Sequence, residues 1–344
     1  MTSNPAAANE SRETGIKLGR DHVLIGRAAS IPVSEPTPVI SVAPVALPAP
    51  GRPVDLQVRI SAPTTGDDLP VILLSHGGGP SNYLSSLLGY GPLVDFWAAR
   101  GFAVIQPTHL TSKSLGLDAS KDPGFPVSRM QDMALILDNL DVLQDAVPGL
   151  SGRLDPGRVA VAGHSFGGQT AGMLLGEQFT DADGTVVYAP DARVKAGVLL
   201  APTGAGGDHL TPAAAAMPSL RTAEFGKMAT PALVVVGDQD HATILTSRGA
   251  SYSTDAYFLS PGPKSLVTLH GAGHLLGGVT GYDAAGTTDE NPERLALVQR
   301  LTWAYLRSVF YQGNPAWQAA RDAFADLSDL GHIESKQTGE EGPR

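Results

Sequence analysis

The chain has 344 residues, is 42% hydrophobic and carries a formal net charge of −10 at neutral pH, with a pI near 5.3. That length and apolar content suit one large α/β domain or two small ones, with a buried core, while the acidic balance repels phosphate backbones and argues against a nucleic-acid partner. Cysteine is absent, which excludes disulfides, thiolate metal sites and a Cys nucleophile.

Residues 1–20 are polar, include Glu10 and Glu13, and have no apolar core of the kind a secretory leader needs, so they read as a disordered segment. Pro38–Pro48 and Val54–Ile60 alternate apolar and polar residues and predict an antiparallel opening pair of strands. Six continuous apolar runs follow, at Val71–Leu74, Phe102–Ile105, Val159–Ala162, Val198–Ala201, Leu233–Val236 and Leu266–Leu269. Runs of this kind suit strands buried on both faces of a parallel sheet, and all are too short to span a bilayer. Helical patterns lie between them at Leu93–Arg100, Arg129–Leu143, Phe166–Leu175 and Arg294–Tyr311. This alternation predicts an α/β fold, a doubly wound sheet with helices on both faces, forming a single domain over residues 21–330. The polar end, 331–344, is expected to be a disordered tail. Three stretches, Thr108–Val127, Pro202–Thr230 and Gly277–Asn291, are long enough to act as functional loops. With no leader and no membrane-spanning run, the expected location is the cytoplasm. Nothing in the sequence sets the oligomeric state.

The chemistry concentrates at the ends of the apolar runs. Gly163-His164-Ser165-Phe166-Gly167 fits G-x-S-x-G, and a buried run leads straight into it while a small-residue helix leads out. That is the strand–turn–helix setting in which a strained turn exposes a serine nucleophile. The bland reading is a tight turn with an idle serine. Ser75-His76-Gly77-Gly78-Gly79-Pro80 follows an earlier run and suits an oxyanion loop, with donors expected from the backbone N–H groups of Gly78 and Phe166. No phosphate-binding glycine motif is present there, and His76 is read as a strut for the loop. Downstream, one run ends in Gly237-Asp238-Gln239-Asp240-His241 and another in His270-Gly271-Ala272-Gly273-His274. Asp238 and Asp240 are both candidate acids, and His270 and His274 are both candidate bases. A serine hydroxyl needs such a base, and the base needs a carboxylate to fix its tautomer. Read singly, each of these residues would suit a turn cap or a loop histidine. The H-x-x-x-H pair falls across a strand end and a Gly turn rather than along a helix, so no metal site is expected.

GHSFGG, LPVILLSHGGG, GDQD and GAGH, with PVDLQVRISAP and SRMQDMALILDNLD, together resemble α/β-hydrolases. The nearest groups are the dienelactone-hydrolase-like, chlorophyllase-like and platelet-activating-factor-acetylhydrolase-like serine esterases, and the resemblance covers roughly residues 50–310. It implies the α/β-hydrolase fold with an eight-stranded, mostly parallel sheet, no cofactor, and Ser165, Asp240 and His274 as a catalytic triad. A dienelactone hydrolase proper uses a Cys nucleophile, so the resemblance does not extend to that activity. The spacing agrees with this choice. The Gly271-Ala272-Gly273 turn lets His274 swing over the sheet edge, whereas His270 continues its strand. Asp240 reaches further from its strand than Asp238. The expected activity is cleavage of a carboxylic ester through an acyl-Ser165 intermediate. Amide, thioester or lactone cleavage, or acyl transfer, on the same residues is the alternative enzymatic reading, and a non-catalytic binding module on this fold is the other. With no Arg or Lys beside the motifs, the expected substrate is a small, neutral, partly apolar ester. Leu275 and Tyr282, with Phe166 and Leu276, are candidates to line its pocket.

Overall fold

The computed structural model describes residues 21–79, 81–118, 125–283 and 288–337. The alternating opening segments form β1 (Val39–Leu47) and β2 (Leu56–Pro63), paired antiparallel from Val39↔Pro63 to Leu47↔Leu56 with a break in register between Val42 and Val45. The apolar runs form β3 (Leu69–Ser75), β4 (Ala103–Pro107) and β5 (Leu154–His164). A two-residue ladder, β6 (Phe179–Thr180) with β7 (Val186–Val187), stands outside the main sheet. The remaining runs form β8 (Val194–Leu200), β9 (Ala232–Gly237) and β10 (Lys264–Leu269), and β11 (Gly331–Lys336) closes the sheet. Nine strands lie in the order β1-β2-β4-β3-β5-β8-β9-β10-β11. From β4 to β10 neighbouring strands are parallel; β1, β2 and β11 pair antiparallel at the two edges.

The helices are α1 (Gly91–Ala99), α2 (Val127–Asp138), α3 (Leu140–Asp145), α4 (Phe166–Leu175), the short α5 (Pro212–Ala215), α6 (Pro218–Arg221) and α7 (Asp255–Phe258), then α8 (Pro292–Phe310) and α9 (Ala316–Ala325). They cover both faces of the sheet. Alternate strand residues feed two cores: Ile72 and Leu74 pack with α1, α8 and α9, while Val71 and Leu73 pack with α2, α3 and α7. Burial on both faces is the physical reason the central strands read as unbroken apolar runs rather than alternating ones.

Three expectations need correction. The tail does not begin at residue 331, because Gly331–Lys336 pairs along the whole of β10; residues 338–344 lie outside the described residues, as do 1–20. The sheet has nine strands rather than eight. The pattern Arg129–Leu143 is two helices, because Asn139 leaves helical geometry at φ −127° and ψ 24° and its side-chain amide donates back to Leu135 O at 2.8 Å. Among the long stretches, Pro202–Thr230 holds α5 and α6, while residues 119–124 and 284–287 of the other two lie outside the described residues. No described helix is long and apolar enough to cross a membrane.

Register positions the site. β3 and β5 are adjacent and parallel with Ser75 opposite Gly163, so the Gly-rich loop and the Ser165 turn emerge side by side. The chain leaves β3 toward β4 on one side and reaches β5 on the other. Their carboxyl ends therefore flank a topological switch point, where open α/β sheets place their ligands. β9 and β10 are likewise parallel neighbours with Gly237 opposite Leu269, so the Asp238–Asp240 and His270–His274 loops also emerge together.

Candidate active site

Ser165 sits between the end of β5 and the start of α4 with φ 56° and ψ −124°, a conformation rarely adopted by a residue with a side chain. Such strain costs about 1–3 kcal/mol and persists only where neighbours enforce it. Two glycines make the turn possible. A Cβ on Gly163 would lie 2.0 Å from Gly167 O, and one on Gly167 would lie 2.0 Å from Ser75 O. The Ser165 N–H donates to Leu200 O of β8 at 2.9 Å, which ties the turn to the next strand. The side chain is half-buried and sits at the N-terminus of α4, where the helix dipole supplies positive potential.

His274 and Asp240 meet directly, Nδ1 to Oδ2 at 2.8 Å. Asp240 is almost completely buried and also accepts the Ala242 N–H at 3.2 Å. Burial alone would raise its pKa, but the His274 hydrogen bond and charge, with the Ala242 N–H, outweigh burial and hold it below the usual carboxylate range. Asp238 points elsewhere and accepts the Gly271 N–H at 2.7 Å, capping the turn between the two histidines. His270 turns outward, its Nδ1 3.3 Å from Asp329 O and its ring 5.6 Å from that of His332. Asp289 fixes the His274 loop from beneath by accepting the Gly273 N–H at 2.8 Å.

No hydrogen bond joins Ser165 Oγ to His274 among the described residues. His274 is held beside the serine turn through His164, whose Nε2 bonds the His274 main-chain oxygen at 2.8 Å and whose ring lies 4.7 Å from the His274 ring. Because a carbonyl only accepts, His164 Nε2 must carry the proton and Nδ1 must accept. The partner of Nδ1 is the Tyr90 hydroxyl at 3.0 Å, which therefore donates to it, while the same oxygen accepts the Gly77 N–H at 2.9 Å. Hydrogen bonds thus run with consistent polarity from the Gly-rich loop to the His274 main chain. Burial, then the charge of His274, pushes the His164 pKa down to about 3, so this ring stays neutral.

The loop itself is buttressed from below. His76 is fully buried; its Nε2 accepts the His109 N–H at 3.0 Å, so its Nδ1 donates to Gly77 O at 2.7 Å. His109 bridges Ser75 Oγ at 2.9 Å and Asp132 at 2.9 Å, and Asp132 pairs with Arg52 at 2.9 Å. This buried Ser75–His109–Asp132 line repeats the residue types of the surface site, yet each member is at most 3% exposed. It serves to hold the loop. Burial drives His76 and His109 well below the usual histidine range, with nearby Arg129 acting in the same direction, and raises Asp132 to about 6 against the pull of Arg52. The fully buried Arg129 guanidinium donates to His76 O, placing a positive charge under the loop.

Gly77 has spent its N–H on Tyr90, whereas the N–H groups of Gly78 and Phe166 donate to no other described residue. The two residues touch: a Cβ on Gly78 would lie 2.8 Å from the Phe166 ring. Phe125 packs edge-on against Phe166 at 5.5 Å, giving the site an apolar wall. Leu275 is half-buried next to His274, Tyr282 is 71% exposed, and Leu276 is wholly buried in the core, which removes it as a lining residue. Pro80 lies outside the described residues. No group of three or more His, Cys, Asp or Glu among the described residues is arranged to hold a metal ion.

Tyr90, His109 and Asp289 carried no sequence signal, and Arg129 and Asp132 stood in a stretch noted only for its helical spacing and family likeness; the first three come from three separate loops and the last two from α2, and only tertiary structure brings them to the site. The pairing of His164 with Ser165 in one motif was the single available hint, since a side chain there must lie beside Ser165. No protein-family model matches the chain, and no curated protein is significantly similar to it.

Proposed function

We propose that this protein is a serine hydrolase of the α/β-hydrolase fold that cleaves a carboxylic ester, with Ser165 as nucleophile, His274 as base and Asp240 as its carboxylate partner. The observation that carries this reading is the strained Ser165 turn beside a His274 whose Nδ1 is fixed by a buried, low-pKa carboxylate. In that tautomer Nε2 is free to accept the serine proton. Ser165 Oγ attacks the ester carbonyl as His274 Nε2 takes its proton. The carbonyl oxygen becomes an oxyanion facing the free N–H groups of Gly78 and Phe166, beside the α4 N-terminus. The tetrahedral adduct collapses, the C–O bond to the alcohol breaks, and the alkoxide leaves with the proton held by His274. Water then attacks the acyl-Ser165 carbonyl, giving its proton to His274, and the carboxylic acid departs as Ser165 recovers that proton. The apolar Phe125–Phe166 wall favours a neutral, partly apolar acyl or alcohol group.

Reaction of the purified protein with a fluorophosphonate probe, read by peptide mass spectrometry, tests this. The expected adduct is on Ser165 and accompanies loss of hydrolysis across a series of p-nitrophenyl esters of graded chain length. No adduct and no ester turnover would favour the non-catalytic module instead.

A further inference from the structure

A cavity of about 260 Å³ lies at the end of the sheet opposite the candidate active site. It sits where Pro231 and Pro263 lead into β9 and β10 and where β11 ends. The candidate active site lies at the other ends of these parallel strands, a strand length of roughly 17 Å away.

The cavity is rich in hydrogen-bond donors. Ser265 and Ser335 are cross-strand partners whose hydroxyls lie 2.9 Å apart. Two hydroxyls sharing one hydrogen bond leave one proton to donate. Tyr305 and Val309 of α8 and Trp317 of α9 form apolar walls, with the Tyr305 and Trp317 rings edge-to-face at 5.5 Å. Tyr305 is only 6% exposed, yet its hydroxyl bonds no described residue. Burial pushes its pKa upward, so it remains a donor. The hydroxyl is not sealed off within the core, so a ligand in the cavity can reach it. Arg321 of α9 lines the same cavity and pairs with no carboxylate among the described residues. Behind it, on the other face of the sheet, Lys264 and Lys336 stand directly opposite each other, an arrangement that like charges disfavour. Burial, then the charge of Lys336, brings Lys264 down to about 7. No Asp or Glu is among the described residues lining the cavity.

We infer that this cavity is a binding site for a small, single-ring carboxylate, its carboxylate held by the Arg321 guanidinium and the Tyr305 hydroxyl and its ring laid against Trp317. Arg321 and Tyr305 face the cavity as donors, beside the serine hydroxyls and the Gln337 amide, which donate as well as accept; the nearby described charges are positive, and the volume suits one ring with a short substituent rather than a long acyl chain. The inference is independent of the chemistry at Ser165.

Isothermal calorimetry of the full chain at low ionic strength tests it, with sodium benzoate as probe and benzyl alcohol as its uncharged counterpart. Benzoate should saturate a single site, and benzyl alcohol should bind at least about tenfold more weakly, the scale of one hydrogen bond to a charged group. Arg321→Gln, a change at the cavity rim, should weaken benzoate by about tenfold and leave benzyl alcohol unchanged. Tyr305→Phe should weaken it severalfold, and if that variant folds poorly the Arg321→Gln result decides alone. Absence of saturable benzoate binding, equal binding of benzyl alcohol, or benzoate binding that survives Arg321→Gln would each overturn the inference.

Discussion

The His164 imidazole donates from Nε2 to the main-chain oxygen of His274 at 2.8 Å, and the two rings lie 4.7 Å apart at 49°. His164 directly precedes Ser165, so this bond ties His274 to the Ser165 turn through the backbone, while Tyr90 ties the same ring to Gly77. Tyr90 and His164 are therefore positioning residues in the proposed mechanism. Tyr90→Phe removes one hydroxyl and leaves the Gly77 N–H and His164 Nδ1 without partners. kcat should fall by about 10²-fold while KM moves by less than about threefold, the signature of lost alignment rather than lost binding. Loss of thermal stability with unchanged kcat would reduce Tyr90 to a packing residue.

Two carboxylates stand two residues apart, and their partners separate their roles. Asp240 bonds His274 while Asp238 caps the Gly271 turn. Asp240→Asn should cost about 10⁴ in kcat, because an amide no longer selects the productive tautomer of His274. Asp238→Asn retains an acceptor oxygen and should cost less than about tenfold. His274→Ala should abolish hydrolysis, and His270→Ala should leave it nearly intact. Steady-state kinetics on the four variants would expose a wrong assignment as a reversed pattern.

Acid should destabilise the fold through its buried histidines. The folded-state pKa of His164, about 3, lies well below the ordinary value of 6.5. Between those values the unfolded chain binds a proton that the folded chain refuses, so stability present above pH 6.5 is lost as pH falls toward 3. At about 1.4 kcal/mol per pH unit, His164 alone accounts for roughly 2 kcal/mol at pH 5. His76 and His109 act in the same direction, and Asp132, raised to about 6, opposes them in part. Urea unfolding at pH 7 and pH 5 should show the loss, and His164→Gln should lessen it. Equal stability at the two pH values would contradict this account.

The buried strands were legible because burial on both faces leaves an unbroken apolar run, and the helix after Ser165 because it is rich in small residues. β11 was not, since Gly331–Lys336 is an edge strand with charged residues such as Glu334 and Lys336, and edges are protected by such residues. Its register with β10 is set by tertiary packing, which local composition does not reveal. The same holds for the site. The candidates Ser165, Asp240 and His274 follow strand ends in the order Ser, Asp, His, although order alone left Asp238 and His270 open beside them, whereas the Tyr90–His164 and His109–Asp132 bonds join residues 74 and 23 positions apart with no spacing rule to announce them. Arg129 lay inside a segment read as a helix and as part of the family likeness, with no role given to the arginine, so the expectation of no cation beside the motifs missed the guanidinium under His76.

The most direct measurement of the central claim is the turnover of p-nitrophenyl butyrate by Ser165→Ala, with folding checked by circular dichroism. Replacing the hydroxyl removes the nucleophile while leaving the His274–Asp240 pair and the Gly78 and Phe166 donors in place. kcat should drop by about 10⁶-fold in a folded protein, the scale seen when a catalytic serine is removed. A folded variant that keeps more than a few per cent of the parent activity would contradict the assignment of Ser165 as nucleophile.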